Sequence, residues 1–218
     1  MRMGKGNFSW LLVALLTFLI GIPLLDQLQL LPVRVVKALM FSWLVCIGVW
    51  SLRSSRRGFA VGVVFVVAAV AANLVAVIAQ SEALAYIVML ALAGFLLTAI
   101  ICTLRQVLIG TEVSLNRLVG AICVYLLLGV IWAVAYSLLD MLVPGSFRGV
   151  SSSMDFAWSG DWLYFSFVTM TTLGYGDFVA LTPTAKTLAY MQAVFGQLYV
   201  AILVAGLVSA YISRPRTE

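Results

Sequence analysis

Polar residues along this chain fall between long apolar blocks rather than alternating with apolar ones. A helix needs about 20 apolar residues to cross a bilayer. Six blocks approach or exceed that length, near Phe8–Leu25, Val33–Leu52, Phe59–Ala79, Ala83–Leu104, Leu118–Val143 and Thr184–Ile212. The pattern predicts an all-α membrane protein with six transmembrane helices. Arg2 and Lys5 precede the first block in the manner of a signal peptide. Its apolar core is long and no A-x-A-like site follows, so it reads as an anchor. Arg34 and Lys37 occupy the first turns of the second block. They can snorkel to the interface, leaving an apolar core from Ala38 to Leu52.

The texture changes between the fifth and sixth blocks. Pro144 to Trp158, with Gly145, Gly149 and Ser151-Ser152-Ser153, reads as an exposed turret, its serines loop filler rather than a modification or ligand site. Ser159 is placed to cap a short helix from about Gly160 to Met170, with Asp161 in its first turn.

Composition agrees with the blocks. Hydrophobic residues make up 64% of 218 and charged residues 10%, with a mean hydropathy of +1.13. A soluble domain of this length lacks the polar supply to cover so much apolar side chain. The net charge of +5 is explained by its distribution. Arg2, Lys5, Arg53, Arg56, Arg57, Arg105, Arg117, Arg214 and Arg216 fall on one side of six spans, and only Arg34, Lys37, Arg148 and Lys186 on the other. That asymmetry places both termini in the cytoplasm, in a plasma or bacterial inner membrane. It leaves no call for a nucleic-acid partner. Asp26, Glu82, Asp140, Asp155, Asp161 and Asp177 are then external, where carboxylates either concentrate cations or simply solvate loops. The chain has no histidine, which removes His-based metal sites, Ser-His-Asp catalysis and imidazole pH sensing. No enzyme activity is expected. Cys46, Cys102 and Cys123 sit inside apolar runs without metal spacing and read as small buried hydrophobes.

The densest chemistry lies in Thr169-Met170-Thr171-Thr172-Leu173-Gly174-Tyr175-Gly176-Asp177. Gly174 and Gly176 lack a Cβ and can take backbone angles closed to other residues. Alternating them with Thr172, Leu173 and Tyr175 lets successive carbonyls face one axis. Four copies about that axis would stack oxygen rings able to replace the hydration shell of a K⁺ ion. The Thr172 hydroxyl can add a ring at the inner end.

The stretch Trp162 to Asp177 (WLYFSFVTMTTLGYGD) resembles the pore signature of the potassium-channel superfamily, especially bacterial members and voltage-gated relatives. The resemblance is specific over about Ser159 to Tyr211 and architectural before that. It implies a re-entrant pore helix, whose C-terminal dipole favours a cation in the central cavity. It also implies a selectivity filter at Thr172, Leu173, Gly174, Tyr175 and Gly176, with K⁺ held at Thr172 to Tyr175. Leu173 replaces the family's more common valine, which keeps the backbone role. Tyr164 and Phe165 stand where many members carry two tryptophans. The resemblance puts the Tyr164 hydroxyl near Asp177 as a brace behind the filter, while Val168 occupies the position of a glutamate found in some members. Permeant K⁺ is the only ion implied, with no cofactor.

One filter strand cannot surround an ion, so a cyclic homotetramer is expected in contact with membrane lipids. Gly196 lies twenty residues after Gly176, at the family's hinge spacing. It reads as a hinge or as a site of close helix packing, a role Gly206 fits better. Gln197, Val200, Val204 and Val208 recur at helical spacing and, in the family's register, line the cavity toward an apolar gate. Gln197 is then a hydrated pore-lining group, with an interhelical hydrogen bond in the wall as the lesser alternative.

The domain reading follows. Residues 1–105 form a four-helix voltage-sensor-like domain that lacks gating arginines, since Arg105 is the only basic residue in the span from Glu82. Asn73, in the third span, reads as an interhelical hydrogen-bonding group rather than a charge-transfer site. Residues 106–117 form a cytoplasmic interfacial linker with a break near Gly110, either transmitting motion or lying at the headgroups. Residues 118–213 form the pore domain, and 214–218 a short tail that leaves no room for a regulatory domain. The expected function is passive K⁺ conduction with little or no voltage dependence. The alternatives are a nonselective cation channel and a non-conducting accessory membrane subunit.

Overall fold

The computed structural model describes residues 8–28, 60–64, 66–68, 82–108, 115–149 and 160–212. The second predicted span, most of the third, Asn73, Gly110, Ser159 and the 150–158 part of the turret lie outside the described residues.

Among the described residues, helical turns at 60–64 and 66–68 aside, the elements in chain order are α1 (Phe8–Leu28), α2 (Glu82–Leu108), α3 (Leu115–Leu142), β1 (Phe147–Arg148), α4 (Gly160–Met170), β2 (Val179–Ala180) and α5 (Pro183–Ile212). Among the described residues, two helical segments are long and apolar enough to cross a membrane: Tyr86–Leu108 and Asn116–Leu142, of 23 and 27 residues.

Helix α2 runs four residues past the expected end at Leu104, and α3 begins three before the expected start at Leu118. Only 109–114 separate them. Arg117, in the first turn of α3, donates from Nε to the Val107 carbonyl at 2.9 Å and from Nη2 to the same oxygen. This satisfies one of the carbonyls left open at the α2 C-terminus and sets a cation against that negative end. At the opposite end, the Tyr86 hydroxyl donates to the Met141 carbonyl at 2.9 Å. The two helices thus form an antiparallel hairpin latched at both ends. Helix α1 also lies on α3, with the Phe8 amide donating to Asn116 Oδ1 at 3.1 Å.

One apolar core joins these elements, from Leu15 and Phe18 of α1 through Leu92 and Leu96 of α2 and Val124 and Leu127 of α3 to Leu163 and Phe165 of α4. Its end beside the turn after α3 corrects the expectation of a turret exposed throughout. Ser146 and Phe147 are buried, because β1 pairs antiparallel with β2 (Phe147 opposite Ala180, Arg148 opposite Val179). The pairing swings the Phe147 ring edge-on against Tyr136, Trp162 and Phe165, at centroid distances of 5.5, 5.1 and 5.5 Å, the favoured geometry for aromatic pairs. Two residues past β2, Thr182 caps α5: its Oγ1 accepts from the Ala185 amide at 3.3 Å. Pro183 then takes the first helical position, where its missing N–H leaves no bond unmade.

Candidate functional site

Helix α4 is short, with Asp161 in its first turn, where a carboxylate complements the dipole. Trp162, Leu163, Phe165, Ser166, Val168 and Met170 are buried. Below Met170 the chain leaves the helix but stays bonded to its last turn. The Thr171 amide donates to Phe167 O at 3.0 Å, Thr172 to Thr169 O at 3.0 Å, and Leu173 and Gly174 to Val168 O at 2.9 and 3.4 Å. The Thr172–Gly176 segment is thereby suspended from the C-terminal carbonyls of α4.

Its backbone alternates in hand. Thr172, Gly174 and Gly176 have φ of 59°, 52° and 83°. In an ordinary extended strand successive carbonyls point to opposite sides. A left-handed residue at every second position turns alternate peptide planes, so that the carbonyls share a side. Glycine meets this demand without penalty. Thr172 does not, since a β-branched residue with positive φ is a strained outlier. Its hydroxyl donates to the Thr171 carbonyl at 2.6 Å. Residues 171–177 are all exposed in the single chain.

Beyond the segment, the Tyr164 hydroxyl donates to Asp177 Oδ2 at 2.7 Å, and the Phe178 amide donates to Asp177 Oδ1 at 3.0 Å. The phenol bond is the main cause holding the Asp177 carboxyl below its ordinary range, and the backbone donors add to it. Phe178 lies edge-on to Tyr164 at 5.2 Å. The sign of the pH effect follows. With a depressed carboxyl pKa, the bond's contribution is present above the ordinary carboxylate range and is lost as pH falls through the depressed value. Tyr164→Phe should therefore move the midpoint of the Asp177 carboxyl titration, followed by infrared difference spectroscopy, to higher pH. Superimposable acid titrations of the two proteins would show that the bond does not matter to the site.

Three residues that sequence reasoning passed over complete the support. Gln192, Ser166 and Tyr136 are buried together behind α4. The Gln192 amide nitrogen donates to Ser166 O at 3.0 Å and to Ser166 Oγ at 2.7 Å. The Tyr136 hydroxyl donates to Gln192 Oε1, and Ser166 Oγ donates to Gly129 O at 2.6 Å. Helices α3, α4 and α5 meet in this circuit. A glutamine inside an apolar helix is itself a signal for such a role.

On α5, Gly196 is buried where the helix crosses the end of α4. A Cβ there would stand 2.6 Å from both Met170 Cγ and the Met170 carbonyl oxygen. Outside its own stretch of helix, Gly206 has no described atom within 4 Å of its Cβ position, so the described residues supply no helix packed against it. Gln197 is exposed and makes a long contact from Nε2 to Met170 O at 3.5 Å. Val200, Leu198 and Ile202 are exposed as well, so exposure in one subunit does not separate the cavity stripe from the opposite face. Val204 and Val208 lie in α5, their side chains outside the described set. Tyr199, one position before Val200, ties α5 to α3 through its hydroxyl, which donates to Ala121 O at 2.7 Å.

Comparison with known proteins gives two sequence matches. Residues 120–213, which run from α3 to the end of α5, match the family described as "Ion channel". A two-pore potassium channel 5 of Arabidopsis thaliana is 47% identical over 49 residues, 22% of this chain and 12% of that protein. The match thus spans about an eighth of the plant relative. No solved structure matches. Both matches fall in the pore-like half of the chain or on a short stretch, one to an ion-channel family over less than half of the chain and one to a potassium channel over 49 residues.

Proposed function

We propose that the chain is the subunit of a K⁺-selective channel, conducting passively through a fourfold pore. The observation that carries this reading is the alternation of hand at Thr172, Gly174 and Gly176 on a strand suspended from α4. Carbonyls gathered on one side of a strand form half of a coordination site at most, and closure by identical copies supplies the rest. On this reading α4 is the pore helix and residues 172–176 the filter. Helix α3 is then the outer helix and α5 the inner helix, with Gln197, Val200, Val204 and Val208 toward the cavity. Six spans, cytoplasmic termini and a plasma or bacterial inner membrane complete it.

The test is uptake of a rubidium tracer into proteoliposomes loaded with K⁺. Uptake should be driven by the K⁺ gradient and suppressed when Na⁺ replaces the internal K⁺. Equal tracer uptake against internal Na⁺ would favour a nonselective pore, and no uptake from tetrameric protein an accessory subunit.

The same reading predicts weak voltage dependence. Arg105 is the sole basic residue of α2 and sits in its last turn. Each elementary charge moved through 100 mV supplies only about 2.3 kcal/mol, so steep gating needs several. Open probability should stay nearly flat from −100 to +100 mV (about the range a bilayer experiment spans). A steep conductance–voltage curve without a blocking ion would contradict this.

A further inference from the structure

The buried circuit behind α4 is closed. Gln192 uses its carbonyl oxygen and both amide hydrogens, and Ser166 uses its hydroxyl as donor and acceptor. Gln192 and Ser166 are each 0% exposed, so any partner lost leaves an unpaired polar group in apolar surroundings. The position of the circuit sets its consequence. Ser166 stands two residues before Val168, whose carbonyl carries the amides of both Leu173 and Gly174. One helical turn beyond Gln192 on α5, Gly196 abuts Met170 at the other end of the same turn of α4. Packing alone fixes how near α4 lies to its neighbours. The directed bonds of Gln192 also fix its height and rotation, and through Val168 the level at which the 172–176 segment hangs.

The geometry points to Gln192 as a positioning residue for ion selectivity, acting through Ser166 on the strand at 172–176. This inference rests on the reading of that strand as the filter. It does not require Gln192 to touch an ion. Replacing the amide with an apolar side chain of similar size leaves Ser166 Oγ without its donor and the Tyr136 hydroxyl without its acceptor. Helix α4 is then free to rotate and slide by tenths of an ångström, and the carbonyl levels with it.

The experiment compares wild type, Gln192→Leu, Ser166→Ala and the double variant as purified tetramers in planar bilayers. K⁺/Na⁺ permeability ratios are read from reversal potentials. Gln192→Leu is expected to lower the ratio by about tenfold, the scale set by one buried unpaired polar group. Ser166→Ala should lower it in the same direction. The double variant should be no worse than Gln192→Leu, because the two side chains act as one unit. Should Gln192→Leu fail to assemble, Ser166→Ala decides, since it removes one oxygen and adds no volume. A wild-type ratio unchanged in the variants, with only thermal stability lowered, overturns the proposal and reduces the circuit to packing. Strictly additive effects overturn the path through Ser166. A wild type that does not discriminate K⁺ from Na⁺ instead overturns the filter reading itself, which keeps the two failures apart.

Discussion

Gly174→Ala is expected to abolish K⁺ selectivity or conduction. Gly174 has φ of 52°, and an alanine held in that region costs about 1–2 kcal/mol per chain. Beyond Gly174 and its two chain neighbours, no described atom lies within 4 Å of where its Cβ would stand, so among the described residues the penalty is conformational rather than steric. The strand has little slack to absorb it, because Thr172 is already held at φ of 59°. Alanine relaxes by returning to negative φ, which turns the neighbouring peptide plane and takes its carbonyl off the axis. In a fourfold pore the change is repeated in every subunit at one level. Single-channel recording of the variant in mixed K⁺ and Na⁺ checks this, and wild-type-like discrimination would remove the carbonyl-ring account.

The second large effect is expected at Gly196. Two roles were open for it, a hinge and a packing site, and they respond oppositely to Gly196→Ala. A hinge glycine replaced by alanine strengthens the helix by about 1 kcal/mol, so the protein should melt higher while its open probability changes. The contact with α4 predicts the reverse. The new methyl would stand 2.6 Å from the Met170 carbonyl oxygen, a backbone atom that cannot swing away as a flexible side chain can. Close-packed interiors transmit such a displacement rather than absorb it. Overpacking of this kind costs about 1–3 kcal/mol, and here it presses on the last residue of α4, directly above the strand at 172–176. We expect a lower melting temperature for the purified protein and, on the proposed function, a loss or alteration of conduction together. Met170→Ala in the same background should restore only part of both, since the carbonyl obstruction remains. A variant that melts higher than wild type would return the hinge reading.

What was legible in the sequence follows the range of the interactions involved. Gly174 and Gly176 declare themselves because their conformations are local and glycine is the residue that tolerates them. Thr172 does not, for its left-handed backbone runs against the preference of a β-branched residue and is imposed by bonds to the end of α4. The apolar blocks locate α2 and α3 to within four residues, and the errors sit at the α2–α3 corner, where Arg117 caps a helix from the next one. The pairing of Phe147 with Ala180 has no periodic trace, because two residues are too few to carry one. Gln192 carries no more local signal than Gln197, five residues on. Its partners Ser166 and Tyr136 lie 26 and 56 residues away, a separation that no single helix pattern encodes.

The bi-ionic reversal potential of the wild-type protein bears most directly on the account. With K⁺ on one side of a bilayer and Na⁺ on the other, current through the reconstituted protein should reverse far from zero, at the sign set by the K⁺ gradient. It should return to zero when K⁺ replaces Na⁺. Reversal near zero under the bi-ionic condition would contradict selective K⁺ conduction through the strand from Thr172 to Gly176.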